Sequence, residues 1–145
     1  MLDLIIKNGS CYIDKDLKDQ DIAIKDGKII KIGKIDSEAK ETFDAKGLTV
    51  LPGCIDTQTH FREPGSTDTE DLHSGSRAAI VGGITSVFEM PNTNPPTSTK
   101  VEFQKKLDLA KNRMYCNYAF YFGATADNAN ELADLVNLEG CCGIK

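Results

Sequence analysis

The sequence predicts an α/β protein in two parts: a small antiparallel β unit over residues 1–52, then parallel strands alternating with helices over 53–145. Two observations carry this. The first fifty residues are short β-branched runs separated by Asn-Gly, Asp-Gly and Lys-Gly pairs, which are hairpin signals. From residue 54 the rhythm changes to apolar strand, loop, helix, repeated, and that alternation implies parallel strands joined by crossovers.

In the first block, "LDLIIKNG", "DIAIKDGKIIKIG" and "ETFDAKGLTVLPG" supply the strands, with turns expected at Asn8-Gly9 and Asp26-Gly27. In the second, strands are expected near 54–60, 84–90, 116–123 and 141–145, and helices near 69–82, 98–113 and 127–138. Ser98 or Thr99 is placed to cap the second helix, and Glu102 stands three residues after Thr99 as in a capping box. The pattern leaves two architectures open, a doubly wound sheet and a closed barrel. A barrel typically needs about 250 residues, and the last strand here has no helix after it, so the chain reads as the N-terminal part of a longer protein.

Composition narrows the function. With 40% hydrophobic and 27% charged residues in 145, the chain has the make-up of a globular protein. Its net charge of -5 and lack of a basic stripe argue against nucleic acid. No apolar run approaches the roughly 20 residues that span a bilayer, the best being the interrupted "AAIVGGI", and no signal peptide opens the chain. A cytoplasmic protein acting on a small molecule is expected. Five cysteines, odd in number and without a C-x-x-C pair, read as buried hydrophobes in a reducing compartment.

Chemistry concentrates in "GCIDTQTHFREPG". Residues two apart on a strand share a face, so Asp56, Gln58 and His60 are expected to project together. A buried polar row needs hydrogen bonds, a metal or a substrate, and the plain reading is a satisfied strand end. Beyond it, Arg62 and Glu63 lead into Pro64-Gly65, placing a guanidinium fork that suits a planar carboxylate. The next strand ends in "EMPNTNPP", bringing Glu89, Asn92 and Asn94 to the equivalent loop, although turn chemistry alone accounts for such asparagines. Polar groups at the carboxyl ends of successive parallel strands are where α/β active sites are built. Lys145 closes a fourth strand and reads equally as a solvated charge; His73 falls on the first helix as a surface or packing residue.

"LPGCIDTQTHFREPG" resembles the first barrel strand of the amidohydrolase superfamily, and "REPG" with "EMPNTNPP" is similar to the class I dihydroorotases within it. The resemblance implies a (β/α)8 barrel preceded by strands of a small β-sandwich, with "GCCGIK" as the fourth barrel strand. It further implies zinc, one or two ions, with His60 as a ligand and Lys145 as a carboxylated lysine that bridges two metals, and Arg62 and Asn92 as binders of a substrate carboxylate. The implied reaction is reversible hydrolysis of a cyclic amide, dihydroorotate in pyrimidine synthesis, with allantoin or a hydantoin as the neighbouring alternative. A homo-oligomer or a transcarbamoylase partner would fit the same family. The catalytic acid would lie beyond residue 145, leaving Lys145 unmodified and the site unformed in this stretch alone. Gln58 departs from the family's His-x-His: a neutral amide binds zinc weakly at best, compatible with a mononuclear site, an altered binuclear site, or a non-catalytic scaffold subunit.

Overall fold

The structure, a computed structural model, describes residues 1–145 with the exception of the Val136 side chain. The chain divides into two compact units, Met1–Pro52 and Gly53–Lys145.

The first unit is a five-stranded sheet of β1 (Leu2–Ile13), β2 (Asp16–Lys25), β3 (Lys28–Gly33), β4 (Ala39–Asp44) and β5 (Thr49–Val50). Its order is β3-β2-β1-β4, with β5 also on β1. The expectation of an antiparallel unit holds for β1-β2-β3 and fails for the rest, because β4 and β5 both pair parallel to β1. After β3 the chain crosses to the far side of β1, and a crossing of that kind returns a strand in the same direction. Asp26-Gly27 makes the second hairpin turn, both residues at positive φ as a two-residue type I′ turn requires. Asn8-Gly9 is not a turn. It lies inside β1, where the register shifts between Ile6 and Gly9 and Asn8 takes φ 60°, a bulge held by Asn8 Nδ2 donating to Asp44 Oδ1 at 2.9 Å. The first turn is formed instead by Asp14 and Lys15, also at positive φ. Ile5, Ala23 and Ile35 form the core of this unit.

The second unit carries the site. Its strands β6 (Cys54–Thr59), β7 (Ile84–Glu89), β8 (Asn117–Phe122) and β9 (Cys141–Ile144) are all parallel and lie in chain order. Helix α1 (Leu72–Val81) is capped by Asp71, which accepts from the Ser74 amide at 2.6 Å while Ser74 Oγ accepts from the Asp71 amide at 3.1 Å. Helix α2 (Lys100–Ala110) is capped by Thr99, which accepts from the Glu102 amide; the Glu102 carboxylate pairs with Lys105 Nζ at 2.8 Å. Only the Thr99 half of the expected box is formed.

The third expected helix is a 3-10 helix, Ala129–Asn137. Leu132, Leu135 and Leu138 recur every three residues, and in a helix with three residues per turn they fall on one face; all three pack into the core. That core joins helices to sheet through Phe61, Leu72, Val87, Phe103, Ala110, Cys116, Phe120, Phe122 and Leu135. Of the cysteines, Cys11 and Cys116 are buried as expected, whereas Cys54 is exposed, and none is in a disulfide.

Candidate functional site

Strand β6 is not a regular strand. Its register against β7 slips between Asp56 and Thr59, so Asp56 pairs with Val87 and Thr59 with Glu89. Val87 is wholly buried in the helix-facing core, which puts Asp56 on the helical face rather than with Gln58 and His60. The expected row of three is thereby reduced to two: Asp56 turns back to accept the Gln58 amide through Oδ1 at 2.9 Å. Buried Thr59 donates from Oγ1 to Phe88 O, and alternation around it leaves Gln58 and His60 on the opposite face.

The "REPG" loop is pinned from behind. Arg62 takes φ 63°, a left-handed conformation unusual outside glycine, and its side chain is exposed. Glu63 points the other way: only 7% exposed, it receives Arg113 in a two-point clasp, Nη1 to Oε1 at 2.8 Å and Nη2 to Oε2 at 3.1 Å. Oε2 also accepts the first helical amide of α1, from Leu72, at 2.9 Å. The carboxylate so placed raises the Arg113 pKa above its ordinary value. Gly65, at φ 121°, lies against the "EMPNTNPP" loop, where any Cβ would be 2.7 Å from Asn94 Cβ and 2.9 Å from Asn94 O. Asn94 N donates to Pro64 O at 2.9 Å, so the two loops are joined through their backbones. The Glu63-Pro64 and Asn94-Pro95 bonds are both cis.

The structure brings His60 and Asn92 together: His60 Nδ1 lies 2.8 Å from Asn92 Oδ1. With the amide oxygen as acceptor, Nδ1 is the donor, which leaves Nε2 as the ring nitrogen not engaged by Asn92. Glu89 does not join them. It alternates with Val87 on the helix-facing side, is 1% exposed, and forms an ion pair with Lys106 of α2, itself fully buried. Burial raises the Glu89 pKa and lowers that of Lys106, each partner opposing the other's shift. Asn94, expected beside Asn92, belongs to the loop clasp instead. His73 is exposed and meets Tyr115, ring centroids 5.1 Å apart.

Lys145 follows β9, the fourth strand of this sheet. A register shift in β9 pairs Gly143 with Tyr121 and Ile144 with Phe122, which sets Lys145 in phase with Tyr121; Tyr121 contacts Phe88, on the opposite face from Val87 and Glu89. Lys145 thus shares the face of His60. His60 and Lys145 therefore stand at the carboxyl ends of the first and fourth strands of the sheet. No group of three His, Cys, Asp or Glu among the described residues is placed to hold a metal ion. His60 is the one histidine, cysteine or carboxylate among the residues expected to hold the metal, so a complete zinc site would need ligands in addition to these.

Sequence reasoning placed Glu63 in the loop but not its inward clasp, and it missed Arg113 and Lys106. For Lys106 a signal existed: Phe103, Lys106 and Ala110 fall at helical spacing on the buried face of α2, so a lysine stood at a core position. Arg113 gave none, because its role depends on a partner 50 residues away.

Four parallel strands with a polar pair at the carboxyl ends of the first two define an α/β protein of the class that binds small molecules at its strand ends. The chain belongs to the amidohydrolase family, whose model matches residues 49–139. It is 41% identical over 144 residues to the allantoinase of Escherichia coli O1:K1 / APEC, covering 99% of this chain and 32% of that protein, and to the same extent to that of Escherichia coli O139:H28 (strain E24377A / ETEC). Among solved structures, the L-hydantoinase (dihydropyrimidinase) of Arthrobacter aurescens superposes with a TM-score of 0.89 at 34% identity, over 99% of this chain and 32% of that one. The D-hydantoinase of a Bacillus sp. AR9 gives 0.81 at 26% identity, over 97% and 32%. The chain spans about a third of the length of the relatives it matches. Their names are allantoinase and hydantoinase, where the motifs resembled the dihydroorotases.

Proposed function

We propose that this chain forms the first part of a cyclic amidohydrolase that opens a ring ureide of the allantoin or hydantoin type. The observation that carries the reading is the 41% identity to an allantoinase over 144 residues, which includes both loops of the mouth. The hydantoinase superposition at 34% identity supports the same class of ring. Within it, His60 offers Nε2 toward the substrate side, Asn92 fixes the imidazole through Nδ1, and Arg62 stands exposed above them. The reaction adds water across a ring amide C–N bond and releases an open carbamoyl compound. Enzymes of this family are typically metal-dependent. The zinc that the motifs imply is part of this proposal, with His60 as the one ordinary ligand these residues supply.

Dihydroorotate is the second reading. Arg62 has no ion-pair partner among the described residues, which favours a substrate carboxylate that allantoin lacks. Ring opening of allantoin, hydantoin and dihydroorotate by the full-length protein separates the two. Turnover of the first pair alone supports the leading reading; turnover of dihydroorotate alone replaces it. Failure on all three, with metal bound, supports the non-catalytic homologue to which Gln58 points.

A further inference from the structure

The β6–β7 ladder breaks at the mouth in a specific way. Met90 N donates to Thr59 O at 2.9 Å, and in a parallel ladder the following rung would run from Phe61 N to Met90 O. That rung is absent. Phe61 N donates to Glu89 Oε1 at 3.2 Å, Met90 O accepts from Lys106 Nζ at 2.9 Å, and Glu89 and Lys106 are ion-paired with each other. The missing backbone bond has been replaced by two side chains on the helix-facing side, Glu89 at the end of β7 and Lys106 from α2.

We propose that the buried Glu89–Lys106 pair is a positioning device that holds the ends of β6 and β7 apart, setting the separation at which His60 meets Asn92. Phe61 is the residue after His60, and Met90 stands two before Asn92, so the pair grips each loop next to the group it presents. A structural role alone explains the pair poorly. Two charges at 1% and 0% exposure are costly to bury, and apolar residues of similar volume in such places are often as stable or more so. Lys106 Nζ also lies 4.9 Å from the Phe120 ring centroid, a contact that favours its present seat. With both charges removed, Phe61 N and Met90 O are left without partners in a dry layer, and the backbone bond between them is the nearest way to satisfy both.

The function invoked rests on the cyclic-amidohydrolase reading, and the test separates the two. The full-length protein is compared with its Glu89→Leu/Lys106→Met variant in melting temperature, in kcat and KM on whichever ring ureide the parent opens, and by crystallography. The expected variant is folded, with a melting temperature close to the parent's. Its crystal structure shows the Phe61 N to Met90 O bond formed and the His60–Asn92 hydrogen bond broken. Its kcat is down about 100-fold with KM little changed, the scale expected for a displacement near 1 Å in a catalytic site. A folded variant that keeps kcat and the 2.8 Å hydrogen bond overturns the proposal. Should the double variant not fold, Lys106→Met alone decides: Met90 O loses the ammonium that ties it to α2, and a lower kcat with a displaced His60–Asn92 bond is expected, whereas a parental kcat with that bond kept refutes the idea. If the parent opens no ring at all, the functional reading fails, and the crystallographic comparison, which needs no turnover, still tests the spacing role.

Discussion

Gly75 gives a quantitative test of how tightly the mouth is built. It lies in the middle of α1, where replacing glycine by alanine ordinarily stabilises a helix by about 1 kcal/mol. Here a Cβ would sit 2.8 Å from Phe61 Cγ and Cε1, and closer still to Cδ1. Carbon atoms pack at about 3.5–4.0 Å, so the ring must retreat by about 1 Å or more. Phe61 is 6% exposed, and its amide is held by Glu89, which leaves it little room to do so. Overpacking of this kind costs about 1–3 kcal/mol, so Gly75→Ala is expected to be neutral to destabilising by about 2 kcal/mol once the helix gain is subtracted.

The cleaner measurement is a double-mutant cycle with Phe61→Leu, followed by urea denaturation monitored by circular dichroism. In the Phe61→Leu background the clash is relieved and the helix gain remains. Gly75→Ala should then be stabilising, with a coupling energy of about 1–3 kcal/mol between the two sites. If Gly75→Ala stabilises the parent by about 1 kcal/mol and the two changes simply add, α1 and the residue after His60 do not approach each other closely, and the tight mouth is refuted.

Three further outcomes are expected. Glu63→Ala removes both bonds to Arg113 and the acceptor for Leu72 N; allowing for the exposure of Arg113, a loss of about 2–4 kcal/mol is expected, and a change within about 0.5 kcal/mol would show the clasp to be inert. His60→Ala in the full-length protein should lower turnover by orders of magnitude, and an unchanged rate with normal metal content would remove His60 from the site. The Ser74 amide holds the Asp71 pKa below its usual value, so the stability that charge contributes is present at neutral pH and fades as pH falls through the folded-state value. The stability gap between parent and Asp71→Asn should therefore narrow below about pH 4, which urea midpoints from pH 7 to 3 would show; a gap that stays constant rules out the charge as its source.

The fold was readable wherever local chemistry decides it. The change from hairpin rhythm to strand-helix rhythm, the Thr99 cap and the Asp26-Gly27 turn all depend on residues within a few positions of each other. Reading failed wherever one residue changes the phase of a strand. Asn8 looks like a turn residue and makes a bulge, and the slip after Asp56 moves that residue to the other face. No alternation rule sees such slips, because they are fixed by the neighbouring strand. The site was legible for the same reason in reverse. His60 and Asn92 were visible as polar residues at strand ends, and only the fold could show that they bond to each other rather than to separate ligands.

One buried and one half-buried ion pair show why the mouth departs from the apolar packing of the rest of this unit. Elsewhere its layers are filled by phenylalanine, leucine and valine, and one apolar surface against another needs no fixed geometry to be stable. At the ends of β6 and β7 the same layer admits Glu63 with Arg113 and Glu89 with Lys106, and both carboxylates accept from backbone amides of the loop that follows β6 and the helix after it. Hydrogen bonds to charged groups have directions that apolar contacts lack, so they fix where a loop lies as well as whether it is bound. A sequence that buries the carboxylates Glu63 and Glu89 beside two neighbouring strand ends favours placement over stability there, and natural chains make that exchange chiefly at functional sites. The charges facing away from the cavity thus point to the mouth as clearly as the His60–Asn92 pair facing into it.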